Sequence, residues 1–149
     1  MTNPLRDALA AGRFCYVVEL VASALKREAQ VLEVASRLAG LPEVVAGSVT
    51  SYAGGAIGHD PIRVSTATRA RGLTPNVHVT CVSQDRRGLR KTLEDLHALG
   101  LENVFALTGD YPAAPLGQDR PPTVFDLDSV QLVALIAELR RGGGCRTRW

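Results

Sequence analysis

Several common signals are missing from this sequence, and each absence excludes a class of protein. No apolar run reaches the ~18 residues of a membrane-spanning helix, and the N-terminus lacks the basic-then-apolar pattern of a secretory signal. The three cysteines include no C-x-x-C pair, so neither a disulfide framework nor a zinc site is predicted. With 17 basic and 15 acidic side chains, the charge indicates neither nucleic acid nor a membrane as partner. We therefore expect a reduced, cytoplasmic protein.

The 149 residues, 46% of them hydrophobic, are ordinary for one soluble globular domain, and strand-like runs alternate with helix-like segments four times. The expected strands are 15–21, 44–50, 77–82 and 103–107. The expected helices run over 26–39, from Asp60 and Pro61 to near Gly72, over 88–99, and from Asp126 or Asp128 to about Arg140. Because the strands are continuously apolar, we predict parallel pairing with right-handed crossovers in an α/β fold.

Two architectures fit four such units: a small doubly wound sheet, or part of a (β/α)8 TIM-type barrel. Neither G-x-G-x-x-G nor G-x-x-x-x-G-K-[ST] follows the first strand, which weakens the case for an open nucleotide-binding sheet. Polar residues near the C-terminal ends of the strands favour the barrel, whose active sites are built there. The pattern alone leaves both possibilities open.

Glu19 lies within the apolar run Val17-Val18-Glu19-Leu20-Val21. Withdrawal from water would raise the pKa of its carboxyl group, and a carboxyl that stays protonated near neutral pH can act as a general acid. The structural alternatives are a glutamate paired with an arginine or one exposed on an edge strand.

Other polar residues stand near the ends of the later strands. Thr50 ends the second strand, His78 and Thr80 share one face of the third, and Asp110 follows the fourth. Each has an ordinary interpretation, since histidine can be a hydrogen-bonded core residue and aspartate is common in turns. Thr50, His78 and Asp110 are expected to converge with Glu19 on one rim of a sequentially ordered parallel sheet.

Short segments in a fixed order carry a resemblance to a known family. They are Val18-Glu19-Leu20, Gly47-Ser48-Val49-Thr50, His78-Val79-Thr80-Cys81, Gly100-Leu101-Glu102-Asn103-Val104, Leu107-Thr108-Gly109-Asp110-Tyr111-Pro112 and the stretch 125–132. Spread between about residues 14 and 139, they resemble the methylenetetrahydrofolate reductase family.

The resemblance implies a TIM-type barrel that binds FAD, which NADH or NADPH reduces. The reduced flavin converts 5,10-methylenetetrahydrofolate to 5-methyltetrahydrofolate, a step of one-carbon metabolism and methionine biosynthesis. By this resemblance Glu19 matches the family's general acid, and Asp110 the aspartate beside flavin and folate. The positions matched to FAD binding are Thr50, Ser51, Ala53, His78, Thr108, Gly109, Asp110, Asp128 and Ser129. Many relatives carry arginine at the position of Thr108, so one flavin contact is expected to be lost or replaced.

A complete barrel needs roughly 250 residues, and the resemblance covers four βα units. We therefore expect residues 1–141 to form the N-terminal half of a flavin-binding barrel and 142–149 to be a tail foreign to the family. Unpaired sheet edges predict self-association or a complementing half-barrel chain. The alternative functions are an inactive flavin- or folate-binding module, or unrelated chemistry that uses Glu19 and Asp110 as an acid/base pair.

Overall fold

A computed structural model describes residues 2–22, 27–50, 52–53, 56–57, 59–114 and 119–141, with the backbone alone at 52–53 and 56–57. The helices are α1 (Pro4–Ala10), α2 (Glu28–Leu38), α3 (Pro61–Ala70), α4 (Arg86–Ala98) and α5 (Ser129–Arg141). The strands are β1 (Tyr16–Val21), β2 (Val44–Thr50), β3 (Tyr52–Ala53), β4 (Ala56–Ile57), β5 (Pro75–Thr80) and β6 (Asn103–Leu107). The expected foreign tail, 142–149, lies outside the described residues.

The main sheet has four parallel strands in the order β1-β2-β5-β6. Helix α2 connects β1 to β2, α3 precedes β5, and α4 connects β5 to β6. The predicted α/β fold with parallel strands in sequence order is thus confirmed. This arrangement is consistent with part of a TIM-type barrel.

The segment after β2 differs from the loop that its glycines predict. The short strands β3 and β4 pair antiparallel, Tyr52 with Ile57 and Ala53 with Ala56. This hairpin leaves the main sheet before α3 begins at Pro61, where the Asp60 carboxylate accepts a hydrogen bond from the Ile62 amide at 2.9 Å. The predicted Asp-Pro start of that helix is confirmed.

The third main strand lies two residues earlier than predicted, because β5 ends at Thr80. Cys81 and Val82, which continue its apolar run, instead accept hydrogen bonds from the long segment after β6. The Val124 amide donates to the Val82 carbonyl at 2.7 Å, and the Phe125 amide to that of Cys81 at 3.2 Å. The segment before α5 is therefore held against the C-terminal end of β5.

Alternate residues of the strands face the helices and form the core. One cluster joins β1 and β2 to α2 and α3 and includes Leu20, Val31, Ala35, Val49 and Val64. A second cluster joins β5 to α4 and α5 and includes Val77, Val79, Leu89, Leu93, Leu96, Leu132 and Leu135. We call this side of the sheet the helix-covered face.

The opposite side, which we call the open face, carries the intervening residues of the same strands. Helix α1 lies at the other end of the strands, since its N-cap residue Asn3 donates a 2.8 Å hydrogen bond to the side chain of Asn103, the first residue of β6. The core contacts of α2 to α5 in the described ranges are with the helix-covered face. In the described ranges, no helix is long and apolar enough to cross a membrane.

Candidate functional site

The strand register places a row of polar side chains across the open face. Glu19 of β1 is opposite Ser48 of β2, and Ser48 is opposite Asn76 of β5. Side chains alternate between the faces of a sheet, so His78, two residues after Asn76, lies on the same face. The row therefore brings a carboxylate, a hydroxyl, an amide and an imidazole onto one surface.

A buried hydrogen bond joins two members of this row. The Ser48 hydroxyl oxygen lies 2.7 Å from Nε2 of His78, and the two residues are only 7% and 9% exposed. Asn76 donates from Nδ2 to the same hydroxyl oxygen at 3.3 Å. The His78 ring also packs edge-to-face against Phe105, with centroids 5.0 Å apart. The imidazole is therefore held from both sides.

Burial lowers the pKa of His78 from its ordinary value, and the negative charge of Glu19 acts in the opposite direction. Desolvation is the larger effect, because the protonated ring would lose its hydration on the sheet surface. The imidazole is therefore neutral at neutral pH.

The structure corrects the predicted burial of Glu19, whose side chain is exposed. β1 is an outer strand of the sheet, so no neighbouring strand covers that side of the carboxylate. The edge-strand alternative is thus the one that the described residues show. Glu19 also borders a cleft of about 380 Å³ between β1 and α2, whose other lining residues are Leu20, Val21, Gln30, Val31 and Val34.

A second group of the predicted site residues lies where β6 approaches the start of α5. The Thr108 hydroxyl oxygen accepts a hydrogen bond from the Ser129 amide at 2.9 Å. The Asp128 carboxylate accepts one from the Gln131 amide at 2.7 Å, and the Gln131 side chain accepts one from the Asp128 amide. Thr108 and Asp128 thus cap the first turn of α5, using groups that the resemblance assigns to the flavin.

Gly109 is required where it stands. Its φ of +85° is a conformation that only glycine adopts readily, and a Cβ there would lie 2.4 Å from Cγ2 of Val82. The chain just beyond β6 therefore passes close to the Val82 side chain, and the exposed Asp110 follows.

An aromatic cluster lies beyond Asp110. The rings of Tyr111 and Phe125 are in edge-to-face contact with centroids 5.0 Å apart, and the Arg120 guanidinium lies 5.7 Å from the Tyr111 ring centroid. Phe125 has a φ of 44°, which is uncommon for a residue other than glycine. This cluster was not predicted, since no periodic pattern in the sequence marks a contact between the two ends of a long loop.

Of the four side chains predicted to converge on one rim, Glu19, Thr50 and His78 share the open face, and Asp110 follows the last strand. Glu19 and His78 lie within their strands, Thr50 is the last residue of β2 and is 4% exposed, and Asp110 lies beyond β6. Glu19 lies on β1 and Asp110 follows β6, the two outer strands, which are ~14 Å apart at ordinary strand spacing, and no hydrogen bond joins the two carboxyl groups, both of which the structure describes.

Two other predicted positions are not fully described by the structure. Ser51 lies outside the described residues, and Ala53 is described only as backbone of β3. In the described part of the chain, no three His, Cys, Asp or Glu side chains are grouped so that they could hold a metal ion.

Ser48 and Asn76 were not predicted as site residues, although alternation along the strands carries the signal. Ser48 and Thr50 share one face of β2, and Asn76, His78 and Thr80 share one face of β5. Polar residues at every second position of two neighbouring apolar strands mark a face that differs from the core.

Comparison with known proteins assigns the chain to a family over most of its length. The family model described as methylenetetrahydrofolate reductase matches residues 4–143, from α1 to just beyond α5. No curated protein matches the chain.

Proposed function

Since the chain belongs to the methylenetetrahydrofolate reductase family, we propose that it takes part in the flavin-dependent reduction of 5,10-methylenetetrahydrofolate to 5-methyltetrahydrofolate, with NADH or NADPH as reductant. The family match suggests an oxidoreductase of folate-linked one-carbon metabolism. FAD, the nicotinamide, the folate and the residue roles belong to the proposal. The family match over residues 4–143 is the observation that carries it.

The residues present fit a flavin. The open face offers a buried hydrogen-bonding pair, Ser48 and His78, and beside it Phe105, an aromatic ring that is 46% exposed. Gly109 adds backbone without a side chain at the end of β6. The flavin ring is flat and mostly apolar, with polar atoms along its edge. A site for it needs an aromatic or apolar surface, hydrogen-bonding groups and backbone that can approach closely. When bound, FAD supplies the hydride-transfer chemistry, and the protein supplies orientation and electrostatics.

In this proposal the central strands hold the cofactor. His78 and Thr50 lie on the open face of β5 and β2, and Gly109 allows backbone groups to approach the ring closely. Thr108 differs from the other positions, because its hydroxyl oxygen already accepts a hydrogen bond from the Ser129 amide. We propose that Thr108 stabilises the start of α5 in place of the flavin contact that its position suggests.

Glu19 is the proposed general acid that helps open the imidazolidine ring of the folate. Its exposure means that the chain alone does not withdraw it from water. Bound flavin and folate would cover the open face and exclude that water from the side chain.

Asp110 is proposed to act from a different position. It follows Gly109 beyond β6 and is exposed. A carboxylate there would favour the cationic iminium form of the substrate through charge, without a hydrogen bond to Glu19.

The first experiment tests the cofactor. Purified protein mixed with FAD is expected to be yellow after desalting and to show a flavin absorption spectrum that NADH or NADPH bleaches without oxygen. Protein that stays colourless after incubation with FAD contradicts the proposal. It would instead support unrelated chemistry on the same fold.

The second experiment tests Glu19. Glu19→Gln should abolish folate reduction and leave flavin reduction by the nicotinamide nearly unchanged, because only the folate step needs a proton from this side chain. Glu94→Gln, an exposed glutamate on α4, is the matched control and should leave both half-reactions intact. Equal losses of both half-reactions in Glu19→Gln would contradict the acid role.

A further inference from the structure

The contact between Ser48 and His78 constrains which ring nitrogen carries the proton. Nε2 of His78 lies 2.7 Å from the Ser48 hydroxyl oxygen, so one of the two groups donates and the other accepts. A neutral imidazole has one N–H, and the hydrogen bond made by one nitrogen determines the state of the other. The donor in this contact therefore decides what His78 offers at Nδ1.

Asn76 indicates the direction of that hydrogen bond. Its Nδ2 donates to the Ser48 hydroxyl oxygen at 3.3 Å, which occupies one lone pair of the hydroxyl. The hydroxyl proton still needs an acceptor, because Ser48 is only 7% exposed. Among the described residues, the one hydrogen-bond acceptor within reach of that hydroxyl is Nε2 of His78. The Ser48 hydroxyl thus donates, and the ring proton resides on Nδ1.

We propose that Ser48 is a positioning residue that keeps His78 in the Nδ1–H form, so that the ring presents a neutral donor to a hydrogen-bond acceptor of the bound flavin. The proposal rests on the proposed function for the identity of the ligand. The edge-to-face contact with Phe105 fixes the ring plane, and Ser48 fixes its rotation and proton. In the described ranges, His78 makes no hydrogen bond through Nδ1, so that donor is available to a ligand.

Burial keeps His78 a neutral donor although a negative charge acts on it. Glu19 on β1 acts on the imidazole through its charge and favours protonation, whereas burial opposes it more strongly. Ser48 and Asn76, on β2 and β5, are uncharged. A neutral N–H can orient a ligand without adding a positive charge beside it.

The tautomer can be measured without any ligand. In long-range ¹H–¹⁵N spectra of the full chain at pH 7.5, wild-type His78 should show a protonated Nδ1 and an unprotonated Nε2. Ser48→Ala should raise the Nε2–H population, and Ser48→Thr, which restores a hydroxyl, should recover the wild-type pattern. His59 and His97 are internal controls whose signals should not change. A wild-type Nε2–H form, or His78 signals unchanged in Ser48→Ala, overturns the proposal.

A double-mutant cycle tests whether Ser48 acts through His78. Ser48→Ala should weaken FAD binding roughly five- to tenfold, as expected for one lost hydrogen bond. It should have no further effect in a His78→Phe background. An equal loss in both backgrounds overturns the positioning role. If the wild-type chain binds no FAD, the proposed function fails, whereas the spectra still decide the tautomer.

Discussion

On the helix-covered face of the sheet, Leu20 of β1 packs beside Val49 of β2, and the two residues are 2% and 0% exposed. On the open face, the preceding residues of the same strands are Glu19 and Ser48, paired in register. One face is continuous apolar core, and the other carries a carboxylate, a hydroxyl, an amide and an imidazole. Parallel sheets usually bury apolar residues on both faces, so polar substitutions confined to one face indicate function.

Exposure distinguishes the open face from the core on the outer strands, whereas Ser48, Thr50 and His78 on the central strands of the open face are buried. Val17 and Phe105 on the open face are 41% and 46% exposed, whereas Val77 and Val79 on the helix-covered face are nearly inaccessible. We therefore expect the helix-covered face to determine stability and the open face to determine ligand binding.

The largest effect is expected from Leu20→Ala. Removing a buried leucine side chain from the cluster of β1, β2, α2 and α3 leaves a cavity and should lower the free energy of unfolding by about 2–5 kcal/mol. Val17→Ala, on the open face of the same strand, is the control and should cost about 0.5 kcal/mol or less. Urea unfolding of the two variants measures both. Similar losses would show that the two faces are equally important for stability.

A smaller loss of stability is expected from Gly109→Ala, just beyond the end of β6. The added Cβ would contact Val82 at 2.4 Å, and the φ of +85° is unfavourable, so we expect a loss of about 1–3 kcal/mol together with weaker FAD binding.

Gly72→Ala is the matched control for that variant. Gly72 has a similar φ of +88°, but its nearest atom is 3.7 Å from the added Cβ. It should therefore lose only the backbone contribution, about 1 kcal/mol, and leave FAD binding unchanged. If the two alanine variants are equally stable, the contact with Val82 is unimportant.

The pH dependence of stability should distinguish His78 from the apolar core. Burial lowers the pKa of His78, so below the ordinary value of about 6.5 the unfolded chain binds a proton that the folded chain does not. Stability should therefore fall as the pH drops below about 6.5, until the lowered folded pKa is reached. The slope for one proton is at most ~1.4 kcal/mol per pH unit, and less where solvent reaches the ring.

His78→Gln removes this titration and should flatten the slope between pH 7 and 5. Chemical denaturation at a series of pH values makes the comparison. A slope in His78→Gln as steep as that of the wild type would show that another group is responsible.

How much the sequence predicts also differs between the two faces. The helix-covered face follows from composition and periodicity, and for that reason the bounds of β2 and β6 and the order of the strands were predicted correctly. The exposure of Glu19 was only one of the alternatives, because choosing it depends on knowing that β1 is an outer strand of the sheet. A run of apolar neighbours along a strand says nothing about the neighbour across it.

The capping role of Thr108 could not be predicted from the sequence either. Its hydroxyl meets an amide 21 residues further along, after a loop whose path no local pattern specifies. The same holds for Ser48 and His78, which are 30 residues apart. The local sequence predicts which face of a strand a side chain lies on. Its hydrogen-bond partner on another strand can be known only from the register between the strands.

The smallest effect on stability is expected when a charge is removed from the outer surface of the helices, where acidic and basic side chains pair with each other. Glu138 of α5 accepts hydrogen bonds from Arg86 and Arg90 of α4 at 2.8 and 2.7 Å. Glu19, by contrast, forms no ion pair in the described part of the chain. The hydrogen bond from Arg90 is the main reason that the pKa of Glu138 lies below its usual range.

A carboxyl with a lowered folded pKa stabilises the fold above its unfolded pKa of about 4.3, and that contribution is lost as the pH falls through the folded value. Glu138→Gln should therefore be less stable than the wild type at pH 6. This difference in stability should shrink towards pH 3. It should also shrink at a salt concentration of about 0.5 M, which strongly screens exposed charges. Glu19→Gln, which breaks no ion pair, should show no such convergence. A Glu138→Gln difference that persists at pH 3 would mean that the side chain stabilises α4 and α5 by packing, and the contrast with Glu19 would then not be one of charge pairing.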